Sequence, residues 1–346
     1  MAARILEFWR VNSGVIHFTL GTAWACIGYG TWYAVDEKKD NVSLYHGKKP
    51  VEVDTSTLTI SQSVDEDLKS KKAVLRKSNL LRPPYVTVGS EAESIGSLKT
   101  TIGGAVGVPY YWRYSTSQDV ETVKISLFKK GNTALQKWIK AFDNFVNARP
   151  KSSEYSILTT NDGDCDVVET EGEGTALENL KESLILSEDA KTFGYMHEIR
   201  CLNSHYQNVV IGLGIFSLTM GGTFGYLTQI LLQKNNRLRP GHILRIVVLA
   251  HIVAYSVSLN WFKTGMDLYL RQKDVDIDKD LMDSGLTKGG IEYYDKLIQK
   301  NISLRTLLGP KGEHLYKENG NVIYQNHRNP HLPLTQRRNK LAAAVN

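Results

Sequence analysis

The sequence predicts a mainly α-helical membrane protein. Three transmembrane helices are expected, with a small α/β module outside the bilayer and an extended carboxyl-terminal tail. Three observations predict this. Residues 208–233 and 246–262 are apolar stretches without Asp, Glu, Lys or Arg. The connection between them, 234–245, carries Lys234, Arg237, Arg239 and Arg245 and no acidic residue. A further uncharged apolar stretch covers 11–35. About 20 apolar residues cross the roughly 30 Å hydrocarbon layer as a helix. The pair 208–233 and 246–262 therefore reads as a transmembrane hairpin tied by a basic loop.

Taken in order, residues 1–10 form a short amphipathic amino terminus, in which Ile5, Phe8 and Trp9 share a face. Residues 11–35 form the first span. The run is too long for the apolar core of a signal peptide, so it is expected as a retained anchor. Trp9 and Trp32 bracket it about 35 Å apart at helical rise, one aromatic per interface. Residues 36–207 form an extramembrane segment that opens on the charged run Asp36–Asp40. The stretch 53–64 has strand-like alternation, and Pro83-Pro84 with the Gly/Ser-rich run to Pro109 reads as loop. A small α/β module is expected over 110–190. Its strands are 120–128 and 153–160. Its first helix runs 132–148 on the stripe Leu135, Trp138, Ile139, Phe142, Phe145 and Val146. The acidic stretch 161–175 reads as a turn, and 176–186 as a short helix. The chain from 193 to 205 leads to the membrane. After the hairpin, 263–346 is expected as short amphipathic helices broken at Gly285 and Gly289-Gly290, then an extended tail whose composition favours disorder.

Composition narrows the function. The 346-residue chain has a formal net charge of +6. That charge is spread thinly, without basic clusters interleaved with aromatics, so nucleic acid is not a partner. Of the three cysteines, Cys26 lies in the first span, while Cys165 and Cys201 either pair or remain free thiols. The sequence has no HExxH, phosphate loop or nucleophile elbow. Asp162, Asp164 and Asp166 with Glu173 imitate a calcium loop, but Val167 stands where glycine is required, so the stretch reads as a solvated turn. His17 and His251 in the spans raise a bis-His haem, which is set aside in favour of packing histidines. Asn41 and Asn301 open glycosylation triplets.

Orientation follows from the basic residues. Arg4 and Arg10 precede the first span, and the hairpin loop carries four more. With alternating spans, both regions fall on the positive side. Residues 36–207 and the tail then share the opposite side.

Glycines mark the packing faces. Gly14, Gly21 and Gly28 recur every seventh residue, and Gly214, Gly221 and Gly225 share another helix face. Small residues let helix backbones approach closely in lipid. Docking onto partner helices is the favoured use of these six residues. Packing within the chain is the alternative.

The hairpin resembles the two-helix domain of the hypoxia-induced gene family. The likeness rests on Ile211-Gly212 and Gly225-Tyr226 in the first helix and on Asn235-Asn236 and Leu238 in the loop. Arg245 stands at the first basic place of that family's signature, Val247 where a second Arg is expected, and His251 where Gln is expected. The resemblance implies a multi-pass protein of the mitochondrial inner membrane, with the hairpin loop and amino terminus in the matrix. Residues 36–207 and the tail would then face the intermembrane space. It further implies a non-catalytic accessory subunit of the respiratory chain. Cytochrome c oxidase is the first choice, with roles in structure, assembly or supercomplex contacts. Expected partners are other membrane-protein subunits and the lipid bilayer. No cofactor or metal is expected, and bound lipid is admitted. Two rivals remain: an accessory subunit of ATP synthase or the first respiratory complex, and a secretory-pathway membrane enzyme or transporter.

Overall fold

The structure, a computed structural model, describes residues 175–233, 240–324 and 328–345, with shorter stretches between 81 and 168. The first span 11–35, with Gly14, Gly21, Gly28 and His17, lies outside the described residues. So do the strand expected at 53–64, the helix expected at 132–148, Asn41 and Cys165. The described chain divides into a hairpin unit, His205–Tyr269, and an extramembrane unit on either side of it in sequence.

The extramembrane unit begins with a three-stranded sheet, β1 (Tyr85–Thr87), β2 (Glu93–Ser97) and β3 (Gly103–Pro109). Its order is β1-β3-β2. β1 runs parallel to β3, and β2 pairs antiparallel from Glu93↔Gly107 to Ser97↔Gly103. This corrects the loop expected over 84–109. Of the glycines there, Gly96 and Gly103 take positive φ, of +95° and +78°, and Gly104 serves close packing. A Cβ on Gly104 would sit 2.8 Å from Leu202. A 3-10 turn, Tyr110–Arg113, follows and buries Tyr111 and Trp112. Within the expected α/β module, β4 (Lys124–Leu127) pairs antiparallel with β5 (Tyr155–Leu158) and with β6 (Asp166–Val168). β6 occupies part of the stretch expected as an acidic turn.

Helices α1 (Thr175–Ser183) and α2 (Glu188–Leu202) come next. The stretch expected to lead to the membrane is instead a core helix. Phe193, Tyr195, Ile199 and Leu202 of α2 are fully or nearly fully buried. Ser187 caps α2 by accepting from the Ala190 N–H at 3.2 Å. Glu292 holds the cap in place, taking the Ser187 N–H at 3.0 Å and its hydroxyl at 2.6 Å. Glu188 and Asp189 in the first turn suit the helix dipole.

The hairpin helices are α3 (Tyr206–Gln233) and α4 (Pro240–Asp283). Both are long and apolar enough to cross a membrane. The second corrects the expected bounds of 246–262. It opens at Pro240, a residue preorganised for a first helical turn. It also continues 21 residues past Phe262. Charges from Lys263 onward end its apolar stretch without ending the helix, and Gly285 stops it at φ +80°.

Helices α5 (Thr287–Leu307), α6 (Pro310–Leu315) and α7 (Leu334–Ala343) complete the unit. Gly289-Gly290, expected as a break, lie inside α5. They let it cross α2 closely: Gly289 rests on the Asp189 backbone and Gly290 on the Phe193 ring. Tyr293, Tyr294 and Leu297 of α5 pack with Phe193, Trp112, Ile277, Leu281 and Leu341 in one core. The tail is ordered and partly helical, which corrects the extended tail. Four polar ties hold it: Arg271 Nε to the Asn329 carbonyl (2.6 Å), Leu332 N–H to Asp274 (3.0 Å), Arg337 to Asp278, and Arg338 to Asp295.

Candidate functional site

The hairpin sorts its residues by size. Along α3 the buried positions other than Gly222 are Val210, Gly214, Ser217, Gly221, Gly225 and Gln229. Their spacing of three and four places them on one helix face. That face meets α4 of the same chain. A Cβ on Gly221 would lie 2.7 Å from the Tyr255 ring and 3.1 Å from Ser258 Oγ. A Cβ on Gly225 would clash with the His251 ring. By contrast, Gly212 has nothing within 4 Å. Gly221 and Gly225 therefore serve packing within the hairpin. Gly214 is buried on the same face.

His251 is fixed in this seam. Its Nδ1–H donates to the Val247 carbonyl at 2.8 Å, so Nδ1 carries the proton. Its ring tilts beside Tyr255 at 6.5 Å. Val247, where the resemblance expects Arg, is buried against Ile243 and Leu232. A cation there would be buried in the closed end of the hairpin. Arg245 is exposed, in the second turn of α4.

The outward surface is bulky and apolar. Phe216, Phe224 and Leu231 on α3 and Leu249, Ile252 and Trp261 on α4 are each more than half exposed. The exposed hydroxyls on this surface are satisfied locally. Thr219, Thr223, Thr228 and Ser256 each donate to the carbonyl four residues back, at 2.7–2.9 Å. Lipid supplies no hydrogen bonds, so such self-pairing is what a polar side chain needs there. A groove of about 550 Å³ runs between the two helices on one side. Phe216, Phe224, Leu249, Val253 and Trp261 are among its walls.

Sequence reasoning missed a second constellation, in the extramembrane unit. Arg337 of α7 is 6% exposed and makes a two-pronged bond to Asp278, Nε to Oδ2 at 2.7 Å and Nη2 to Oδ1 at 2.6 Å. The Tyr294 hydroxyl donates to the same carboxylate at 2.9 Å. Asp274, one turn earlier on α4, accepts from Leu332 N–H at 3.0 Å and from His331 Nδ1 at 3.1 Å. Burial alone would raise the Asp274 carboxyl. The His331 hydrogen bond, the Arg337 charge and the Leu332 N–H outweigh it and hold the group well below the usual carboxylate range. The i, i+4 spacing of Asp274 and Asp278 was the available signal. Nothing local pairs them with Arg337.

Among the described residues, His197, Glu198 and Cys201 bring three metal-capable atoms within 4.8 Å of one another. Their hydrogen bonds give them a different use. Arg337 can only donate, so His197 Nε2 accepts from its Nη2 at 2.8 Å. The imidazole proton then sits on Nδ1 and goes to Glu198 Oε1 at 2.9 Å. Both ring nitrogens are engaged. Cys201 is a free cysteine whose thiol desolvation pushes up to about 12. His197, backed by Glu198, buttresses Arg337. Asn301, the second glycosylation triplet, is fully buried in α5 and donates to the Gly320 carbonyl at 2.8 Å. The folded chain does not offer it for modification.

No family model matches the chain, and no solved structure matches it. It is similar to Transmembrane protein 177 of Rattus norvegicus, 28% identical over 174 residues, 47% of this chain and 51% of that protein. It is likewise similar to Transmembrane protein 177 of Homo sapiens, 30% identical over 169 residues with the same shares. The Danio rerio protein of that name is 28% identical over 153 residues, 42% of this chain and 46% of its own length. The chain spans about half the length of the curated relatives it matches. With two helices long and apolar enough to cross a bilayer and relatives named for that property, this is a membrane protein.

Proposed function

We propose that this chain is a non-catalytic accessory subunit of a respiratory complex in the mitochondrial inner membrane, with cytochrome c oxidase as first choice. Residues 11–35 add a third span. The hairpin loop and amino terminus face the matrix, and 36–207 and the tail face the intermembrane space. One observation carries the non-catalytic, structural part of this reading. The hairpin stretches 208–233 and 246–262 carry no Asp, Glu, Lys or Arg; their seam packs glycines against Tyr255, Ser258 and His251, and their exterior is large and apolar. A transporter needs ionisable or polar groups along a path through the membrane. Here the exposed hydroxyls are turned back on their own helices. What the hairpin offers is surface for other helices and lipid. The choice of membrane and complex rests on the basic loop and on the resemblance to the hypoxia-induced gene family.

The test is purification of the tagged full chain in mild detergent, with the co-purifying proteins identified by mass. Cytochrome c oxidase subunits or assembly intermediates are the expected result. ATP synthase or first-complex subunits would move the assignment to the rival complex. Recovery without any respiratory subunit would sink the reading. The secretory-pathway alternative loses one of its two supports, because Asn301 is inside the core.

A further inference from the structure

We propose that His197 is a proton-operated catch for α7: neutral, it holds Arg337, and protonated, it takes the place of Arg337 at Asp278 and frees the carboxyl-terminal segment. The geometry turns on one nitrogen. Arg337 Nη2 donates to Asp278 Oδ1 at 2.6 Å and to His197 Nε2 at 2.8 Å. A guanidinium has donors only, so the second bond exists only while Nε2 keeps its lone pair. A proton on Nε2 removes that acceptor and sets cation against cation at hydrogen-bond distance. The same proton gives His197 an N–H to offer to the carboxylate that Arg337 leaves.

The linkage follows from which partners travel with the tail. Glu198 Oε1 lies 2.9 Å from His197 Nδ1 and favours the charged ring. It belongs to α2, so it stays whether α7 is docked or free. Asp278 belongs to α4 and stays as well. Arg337 is at the ring only when α7 is docked. Proton binding and docking therefore compete. Docking is at full strength where the ring is neutral and weakens as falling pH charges it, by at most about tenfold per pH unit for one proton. Histidine is the side chain that ordinarily changes charge between about pH 5 and 8. The His197 side chain is 13% exposed, so a proton arrives without unfolding α2. The other charged and titratable groups around the catch are Arg200 and Cys201 on α2, Lys273, Asp274 and Asp280 on α4, Tyr293 and Tyr294 on α5, and Glu91 ahead of β2. Burial keeps Cys201 and both tyrosines uncharged in this window, and Asp274 stays ionised. His331 acts in the opposite sense, because its protonation strengthens the bond to Asp274. Release of α7 uncovers the core surface that Leu341 now seals beside Gly290.

The test uses the full chain in mild detergent. Proteinase K cuts the tail near Pro333, and each rate is divided by that of the denatured chain at the same pH. From about pH 7.5 to about pH 5.5 the wild-type rate is expected to rise at least about tenfold. His197→Gln keeps an acceptor for Arg337 and cannot charge, so its rate should rise less than about twofold. His331 and Asp274 are present in both chains, so the comparison isolates His197. Equal rises in wild type and variant, or a wild-type rate that does not rise, overturn the proposal. Should His197→Gln loosen the tail already at the upper pH, Glu198→Gln decides. It removes the anion that favours the charged ring, so the midpoint of tail release should move to lower pH. A midpoint that stays in place or moves upward overturns the proposal.

Discussion

Three single substitutions to alanine on α3 separate packing from helix propensity. Alanine is favoured over glycine inside a helix by about 1 kcal/mol. At Gly212 nothing lies within 4 Å of the new methyl, so that gain is kept. At Gly221 the methyl meets the Tyr255 ring edge at 2.7 Å. The ring can tilt, and an overpacking cost of about 1–2 kcal/mol offsets the gain or slightly exceeds it. At Gly225 the methyl clashes with the His251 ring, which a 2.8 Å bond ties to the Val247 carbonyl. Moving the ring breaks that bond at about 1 kcal/mol on top of about 2–3 kcal/mol of overpacking. The net is a loss of about 2–3 kcal/mol, from propensity set against packing and the lost bond. The expected order of stability is Gly212→Ala, wild type, Gly221→Ala, Gly225→Ala. The assay is unfolding of the chain in mild detergent by rising SDS fraction. It is read by fluorescence transfer between dyes at Asn208 and Leu268, near the open end of the hairpin. Equal midpoints for Gly212→Ala and Gly225→Ala would refute the glycine seam.

Other expectations follow from the same geometry. Arg337→Met leaves Asp278 buried and unpaired and should cost about 3–5 kcal/mol, releasing the tail to limited proteolysis near Pro333; a tail as resistant as wild type would count against the clamp. Asp274 is depressed in the folded state, so its contribution is fully present above the ordinary carboxyl range near pH 4 and fades as pH falls through the lower folded value. Asp274→Asn should therefore destabilise the chain at pH 7 and flatten the acid limb of its stability profile; a parallel, merely shifted profile would assign that limb to other groups. With its thiol near 12, Cys201 is about one part in ten thousand thiolate at pH 8, so iodoacetamide should modify it orders of magnitude faster after denaturation; comparable native and denatured rates would contradict the burial. Ile252→Arg on the outward face of α4 should cost about 2.5–3.5 kcal/mol of insertion and appear as carbonate-extractable protein; unaltered membrane retention would mean that Ile252 does not face lipid.

The hairpin was legible because lipid imposes a simple rule on composition, and 208–233 obeys it nearly to the residue. The length of α4 was not. Hydropathy marks where a helix leaves lipid, and past Phe262 the same helix continues as a core element, burying Met266, Leu270, Ile277 and Leu281 at helical spacing beneath a charged surface. The sheet over 85–109 was hidden by its glycines, which read as turns in isolation, although Gly104 sits within a strand and admits Leu202. The tail misled because few apolar residues anchor it. Leu341 and the stem of Arg337 do the packing, and partners more than 50 residues away supply the rest. In the candidate site, the face formed by Gly214, Gly221 and Gly225 was readable. Its occupant was not, because spacing defines a face without naming what covers it.

Within lipid, apolar area drives no association, since acyl chains are as apolar as leucine. Helices there choose neighbours by fit. A hairpin that spends its glycines on its own seam gains cohesion and keeps only large side chains for the outside. Such a surface cannot recruit another large-faced helix closely, but it accepts one with a small face. Selectivity then resides in the incoming segment. Gly21 lies in the seven-residue glycine repeat of residues 11–35, so a leucine there should disturb incorporation into an assembly while leaving the α3–α4 seam intact. A native gel of membranes carrying Gly21→Leu should show loss of the high-mass band, with the SDS midpoint of the α3–α4 dye pair unchanged. Loss of both would mean that the two helices do not cohere without the first span.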